Sequence, residues 1–318
     1  LNGLQNLTAI NGSIEITIVP LTSLSALQGI TTIPGNLYIG STQLTNLDDL
    51  SDLISIGGNL NLSGNSNLSS LAALSGLTTI GGILSLGSNP MLNSLAGLQN
   101  LSSVNSIYLY NTNLSSLSPL NLPTVIPGSI QVYNEEMLIQ AGSFSNVTSI
   151  GGNLELISNT VNSSFTGFDN LEQVGGNLWI WFNTGATSLS GFGNLEQVGG
   201  DVHISNNYNL QNLTGLQNLT AINGDALIAQ HPVLQSLNGL NSTLSISGDL
   251  GIYWNDSLSN CAALAICSYL DAPPGTINIG DNLPDCNSEE QVAAHCDAAP
   301  PACTGLVSPY PGETAVPA

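Results

Sequence analysis

One short pattern returns along most of the chain and constrains the fold more than anything else. It reads roughly Gly-Gly-Asn-Leu-x-Leu, then Leu at every third position, then a short turn. The last turn residue stands at Gly12, Gly35, Gly58, Gly82, Asn105, Gly128, Gly152, Gly176, Gly200, Gly224 and Gly248, spaced by 23 or 24 residues. One unit of that length cannot bury its own leucines, but a stack of units can. The first part of each unit alternates, as in Leu60-x-Leu62 and Leu154-x-Leu156, which is the period of a strand with one buried face. The second part places Leu44, Leu47, Leu50, Leu53 and Ile56 at a strict spacing of three. A helix needs threes mixed with fours, so this half predicts a chain turning corners around a shared core. The turn glycines are expected to supply backbone angles that other residues resist. The expected fold is therefore mainly all-β: a right-handed β-solenoid of about eleven 23–24-residue coils. At about 4.8 Å per coil it makes a rod on the order of 50 Å long.

Composition narrows the function. The chain has 318 residues, no Lys or Arg, 21 acidic residues and a formal charge of −21. Nucleic-acid phosphates need cations to replace their counterions, so a nucleic-acid partner is excluded. Anionic membrane surfaces are disfavoured for the same reason. No apolar run is long enough for direct membrane insertion. Hydrophobic residues make up 42% of the chain, too many for an acidic disordered tail. A chain without Lys or Arg gives trypsin-like proteases nothing to cut, which points to an extracellular or cell-surface setting. Leu1 to Gly12 nearly repeats Leu213 to Gly224, so the chain is expected to be a trimmed product or a piece of something longer.

The register sorts side chains into columns. Two outward columns carry Tyr108, Tyr110, Tyr133, Trp179, Trp181, His203 and Tyr253. Exposed aromatics gathered on one face mark a contact surface, or are covered by a loop or a neighbouring domain. A turn column of Asn65, Asn89, Asn159, Asn183, Asn207 and Asn255 is expected to bond the backbone of adjacent coils. A third column ends in Asp201, Asp225 and Asp249. Stacked carboxylates repel, so these either accept hydrogen bonds from turn amides or hold a bound Ca²⁺; no Ca²⁺-loop motif accompanies them. No other cofactor is implied.

The cysteines gather at the end: Cys261, Cys267, Cys286, Cys296 and Cys303. The repeat stops near Leu258. Short helices are expected from Ala262 to Leu270 and from Ser288 to His295, the second opened by acidic residues at its positive end. Residues 1–258 then form the solenoid, 259–297 a disulfide-braced cap, and 298–318 a linker leading into a following module. The first four cysteines are the disulfide candidates. Three connectivities stay open, and a zinc site is the alternative, though paired C-x₂-C units are lacking. The N-terminal edge has no comparable cap, which would suit head-to-tail or lateral self-association.

The Gly-Gly-Asn-Leu-x-Leu units resemble receptor L domains and the leucine-rich repeats of bacterial surface proteins. Gly200-Asp201-Val202-His203-Ile204 is similar to the strand opening of growth-factor-receptor L domains. The segment from Asn260-Cys261 through Cys286-Asn287-Ser288-Glu289-Glu290 resembles a cap of Bacteroidetes secreted proteins. Residues 302–318 are similar to the start of a fibronectin-III-like module in those proteins. The resemblance implies a secreted surface protein; no C-terminal sorting domain accompanies it.

Catalytic chemistry is scarce. His203, His231 and His295 have no nucleophile motif around them. Glu135-Glu136 stands alone. Glu155, Glu172 and Glu196 would be the carboxylates of a hidden glycosidase, but the last two sit in duplicated Asn-Leu-Glu-Gln-Val-Gly-Gly copies. Twelve Asn-x-Ser/Thr sequons follow mostly from the repeat itself. The expected function is a non-enzymatic structural or adhesive protein, able to assemble into a surface filament or sheath. The alternative is a module that binds an extracellular glycan or protein on its aromatic face.

Overall fold

A computed structural model of the protein describes residues 4, 7–118, 120–135, 143–161 and 164–298. Cys303, Glu136 and the stretch resembling a fibronectin-III-like module lie outside them. The repeat becomes a β-solenoid. One strand per coil, from Ile14–Thr17 to Ile277–Gly280, lies beside its neighbours in chain order, and every pair is parallel. Register holds from coil to coil: Leu154 faces Leu178, which faces Val202, then Ala226, then Leu250. Alternate strand residues thus fall in one column inside the rod, and Leu154, Leu156, Leu178 and Ile180 are fully buried. A second sheet of two-residue strands, Val125–Ile126 to Ser245–Ile246, closes another side of the coils.

The spacing of three has a direct cause. The leucine corner of each coil bonds from residue i to i+3: Leu74 N–H donates to Leu71 C=O and Leu77 N–H to Leu74 C=O, both at 2.9 Å. Such 3₁₀ turns have three residues per turn, so every third side chain points the same way. In the middle coils the corner column switches from Leu to Phe. Phe144, Phe168 and Phe192 stack with ring centroids 4.9 and 5.5 Å apart, all three fully buried.

The asparagine column forms a ladder of hydrogen bonds from coil to coil. Asn183 Nδ2 donates to Leu156 C=O at 2.8 Å, while its Oδ1 accepts from Asn159 N–H at 3.1 Å. Asn159, Asn207 and Asn255 repeat the arrangement. Three positions of the column between Asn65 and Asn282 are not asparagine: Thr112, Glu135 and His231. Glu135 accepts from the Thr112 N–H and hydroxyl at 2.9 and 2.7 Å. His231 accepts from Asn207 N–H on Nδ1 and leaves Nε2–H to donate to Ile204 C=O at 3.1 Å.

The repeat glycines need a correction. None of the turn glycines from Gly12 to Gly248 has a positive φ. The left-handed residue is instead the one after each strand: Ser41, Gly64, Ser88, Asn111 and so on to Asp281. The turn glycines are there for closeness. A Cβ on Gly200 would overlap Asn177 Oδ1, and one on Gly224 would overlap Asp201 Oδ1.

The cysteine segment holds two helices, α1 (Leu264–Asp271) and α2 (Glu289–Ala298), close to their expected places. Cys261 pairs with Cys286 and Cys267 with Cys296, with Cα atoms 5.7 and 5.6 Å apart. Tyr269 on α1 donates to Gly248 C=O at 2.6 Å. The segment also contributes an unexpected strand, Ile277–Gly280, paired with Leu250–Tyr253. Asn282 then extends the asparagine ladder, donating to Ile252 C=O and accepting from Asn255 N–H. Helix α1 therefore sits inside one more coil.

Candidate binding face

The outward face of the large sheet carries the aromatic residues read from the register, in three groups. Tyr108 stacks on Tyr110 at 4.9 Å and meets Tyr133 edge-on at 5.4 Å. Tyr133 donates to Glu155, whose other oxygen accepts from Asn153 Nδ2 at 3.2 Å. Burial, then this bond to a carboxylate, push the Tyr133 phenol well above its ordinary value. Trp179 and Trp181 form the second group with His203, whose ring lies 5.9 Å from Trp181, nearly parallel to it. His203 bonds Ser205 Oγ at 2.8 Å, and burial lowers its pKa. Tyr253 stands apart, beyond a coil that offers Leu227 and Ala229 to the same columns.

Three further aromatics enlarge this face, none of them on the strands. Phe182 packs on Trp181 at 5.1 Å, Tyr208 meets Phe182 at 6.2 Å, and Trp254 meets Tyr253 at 5.1 Å. Trp181, Phe182, Tyr208 and Trp254 are among the most exposed large apolar side chains. Phe182 and Trp254 occupy the left-handed position after the strand, with φ of 55° and 57°. Elsewhere that position carries mostly Ser, Asn or Gly, which tolerate it; a bulky side chain there is strained. The signal was legible: Phe182 and Trp254 are the aromatic departures, beside Ile18 and Gln230, from a column of Ser41, Gly64, Ser88, Asn111, Asn134, Ser158 and Asn206.

The aspartates have a structural role. Asp201 Oδ1 accepts from Asp225 N–H at 2.9 Å, Asp225 Oδ1 from Asp249 N–H at 2.7 Å, and Asp249 Oδ1 from Thr276 N–H at 2.7 Å. Asn153 and Asn177 make the same bond in earlier coils. Among the described residues, no group of three or more His, Cys, Asp or Glu side chains is placed to hold a metal ion. Glu155 lies on the large sheet, whereas Glu172 and Glu196 precede strands of the small one, so the three carboxylates do not share a site. Among the described residues, no helix is long and apolar enough to cross a membrane.

The chain is thus a parallel β-solenoid of leucine-rich-repeat-like coils, closed at one end by a disulfide-bonded helical segment. Residues 172–291 match the Receptor L domain family. An internalin from Listeria monocytogenes, known from its crystal structure, aligns over 92% of this chain and 85% of its own at 16% identity, with a TM-score of 0.48. No curated protein matches the chain. The matched stretch contains Trp179, Trp181, Phe182, His203, Tyr208, Tyr253 and Trp254; Tyr108, Tyr110 and Tyr133 precede it.

Proposed function

We propose that this chain is a non-enzymatic adhesive module working outside the cell, and that it binds a protein partner through Trp181, Phe182 and Tyr208. Tyr253 and Trp254 provide a second contact on the same side. The observation that carries the reading is Phe182. Its ring is exposed and packed between Trp181 and Tyr208, and it holds a backbone position where Asn or Ser would fold with less strain. Strain kept at an exposed aromatic is accounted for by contact with something else. Large rigid aromatics are also the residues that dominate protein interfaces. The Receptor L domain match covers this stretch and supports recognition as its task. Two disulfides and a chain free of Lys and Arg support an oxidising, protease-exposed setting. A charge of −21 favours a neutral or basic partner. Assembly of the chain into a filament would have to overcome the same charge and would therefore strengthen with salt, which sedimentation at low and high salt measures.

The test is adhesion. Beads coated with the chain are offered to cell surfaces and protein-coated surfaces, before and after protease treatment of those surfaces. Adhesion should disappear after the treatment. It should fall about tenfold or more in a Trp181→Ser/Phe182→Asn variant that keeps its thermal transition. Adhesion that survives both changes rules the reading out.

A further inference from the structure

A second feature of the same sheet face lies outside the Receptor L domain match and serves nothing described above. The N-terminal coils hold a trough of about 420 Å³ that runs from Ile14 and Glu15 in the first coil, past Tyr38, to Tyr108 and Tyr110. We propose that this trough binds an uncharged oligosaccharide.

The walls are aromatic and laid down along the sheet. A Cβ on Gly40 would lie 3.1 Å from the Tyr38 hydroxyl, and one on Gly87 would overlap the Tyr110 ring. The Tyr110 ring occupies space that only glycine leaves free, and the Tyr38 hydroxyl end lies close over Gly40. Both rings lean over the sheet instead of standing up from it, as platforms for stacking would. Tyr38 and Tyr108 belong to strands three apart, which sets them about 14 Å from each other at the usual strand spacing. Between them the floor is small and polar, with Asn61 and Ser85 paired in register.

That floor is incomplete. Among the described residues, two buried side-chain polar atoms have no hydrogen-bond partner: Asn61 Oδ1 and Ser63 Oγ. Both belong to one strand, Leu60–Ser63, and of the two Asn61 lines the trough. Ser63 sits in its column between Gly40 and Gly87, the two glycines under the tyrosine rings. Buried polar atoms are nearly always paired, and each orphan costs about 1–3 kcal/mol. The Asn61 Oδ1 acceptor is covered as it stands, and a turn of the amide toward the trough would let a donated hydroxyl satisfy it.

Charge decides what kind of ligand fits. No Lys or Arg exists in the chain, and Glu15 lines the trough. A sulfated, phosphorylated or uronic sugar would meet only like charge. A purely apolar ligand would leave Asn61 Oδ1 unpaired. A neutral sugar chain offers C–H faces for the tyrosine rings and hydroxyl edges for the floor. It answers both features at once.

The experiment is calorimetric titration of the whole chain with cellohexaose, xylohexaose, mannohexaose and maltohexaose, with oligogalacturonate as the anionic control and an extended neutral peptide as the rival. The three tryptophans lie outside the trough, so a trough ligand leaves tryptophan emission unchanged. At least one neutral hexamer should bind. Tyr110→Ala should weaken it about tenfold or more. Gly87→Ala keeps the tyrosine but pushes its ring aside and should weaken it comparably, which guards against misfolding in the first variant. Trp181→Ser/Phe182→Asn should leave it unchanged. The proposal is overturned if no neutral hexamer binds, if the ligand is the anionic sugar or the peptide, or if binding quenches tryptophan or ignores both trough variants. Adhesion through Trp181 and Phe182 could still hold in any of those cases.

Discussion

The asparagine ladder and the outward face of the large sheet have the same spacing and opposite contents. Ladder positions from Asn65 to Asn282 are mostly buried and mostly asparagine, because an asparagine there accepts from one coil and donates to another. At Glu135 and His231 the acceptor role is kept, whereas the Thr112 hydroxyl donates to Glu135. The outward columns carry no such duty. They run through Glu15, Tyr38, Asn61, Ser85, Tyr108, Gln131, Glu155, Trp179 and His203 with no rule from coil to coil. Repetition therefore marks what stacking needs, and departure from repetition marks where the chain is free to do something else.

The sharpest way to break that contrast is to truncate one residue of each kind. Asn183→Ala would leave Asn159 N–H buried without its partner and remove the side-chain donor from Leu156 C=O. We expect a loss of about 3–5 kcal/mol in urea unfolding. Gln131→Ala, in an outward column, should change stability by no more than about 0.5 kcal/mol. Equal losses would mean that the ladder carries no special share of the fold.

His231 sharpens the comparison from inside the ladder. Burial lowers its pKa from 6.5 to about 4, and its neutral form is the one that accepts from Asn207 N–H. Between those values the unfolded chain binds the proton and the folded chain does not, so stability falls as the pH falls. The full difference is about 3 kcal/mol, present above pH 6.5 and gone near pH 4. Burial raises the Glu135 pKa, which works in the opposite direction as pH falls toward its ordinary value. His231→Asn restores the common ladder residue and should remove the His231 share of the slope. An unchanged pH profile in that variant would mean that the buried imidazole is protonated in the fold without penalty.

How much of this was legible follows the same division. The coil number, the inward leucines and the asparagine column could be read because they repeat. Glu135 and His231 were read as isolated residues, although each stands 24 positions from an asparagine of the column, Asn159 and Asn255 respectively. The strand Ile277–Gly280 escaped because α1 lengthens its coil: Asn255 and Asn282 are 27 apart, not 24. The turn glycines were assigned to backbone freedom when their reason is a neighbour one coil away, which spacing alone does not reveal. On the outward face the strand aromatics are visible from the period of two, while Phe182, Tyr208 and Trp254 lie past the strand ends, where that period no longer tells which way a side chain points.

The smallest expected effect is also the most discriminating, because it runs against the usual direction. Phe182 and Trp254 hold φ near 55°, where a residue without a short polar side chain is strained by about 1 kcal/mol or more. Asn stands at the same position in other coils, at Asn111, Asn134 and Asn206. Phe182→Asn and Trp254→Asn should each relieve that strain. Trp254 is 52% and Phe182 36% exposed, so each gives up in return only the packing it keeps on its neighbouring rings. Each variant is expected to melt higher, by about 1 kcal/mol in stability, while Phe182→Asn weakens adhesion. A variant that gains stability and loses binding would show that the aromatic is kept for contact and not for folding. If instead Phe182→Asn melts lower, the ring contributes to the fold through Trp181 and Tyr208, and its exposure no longer argues for a partner.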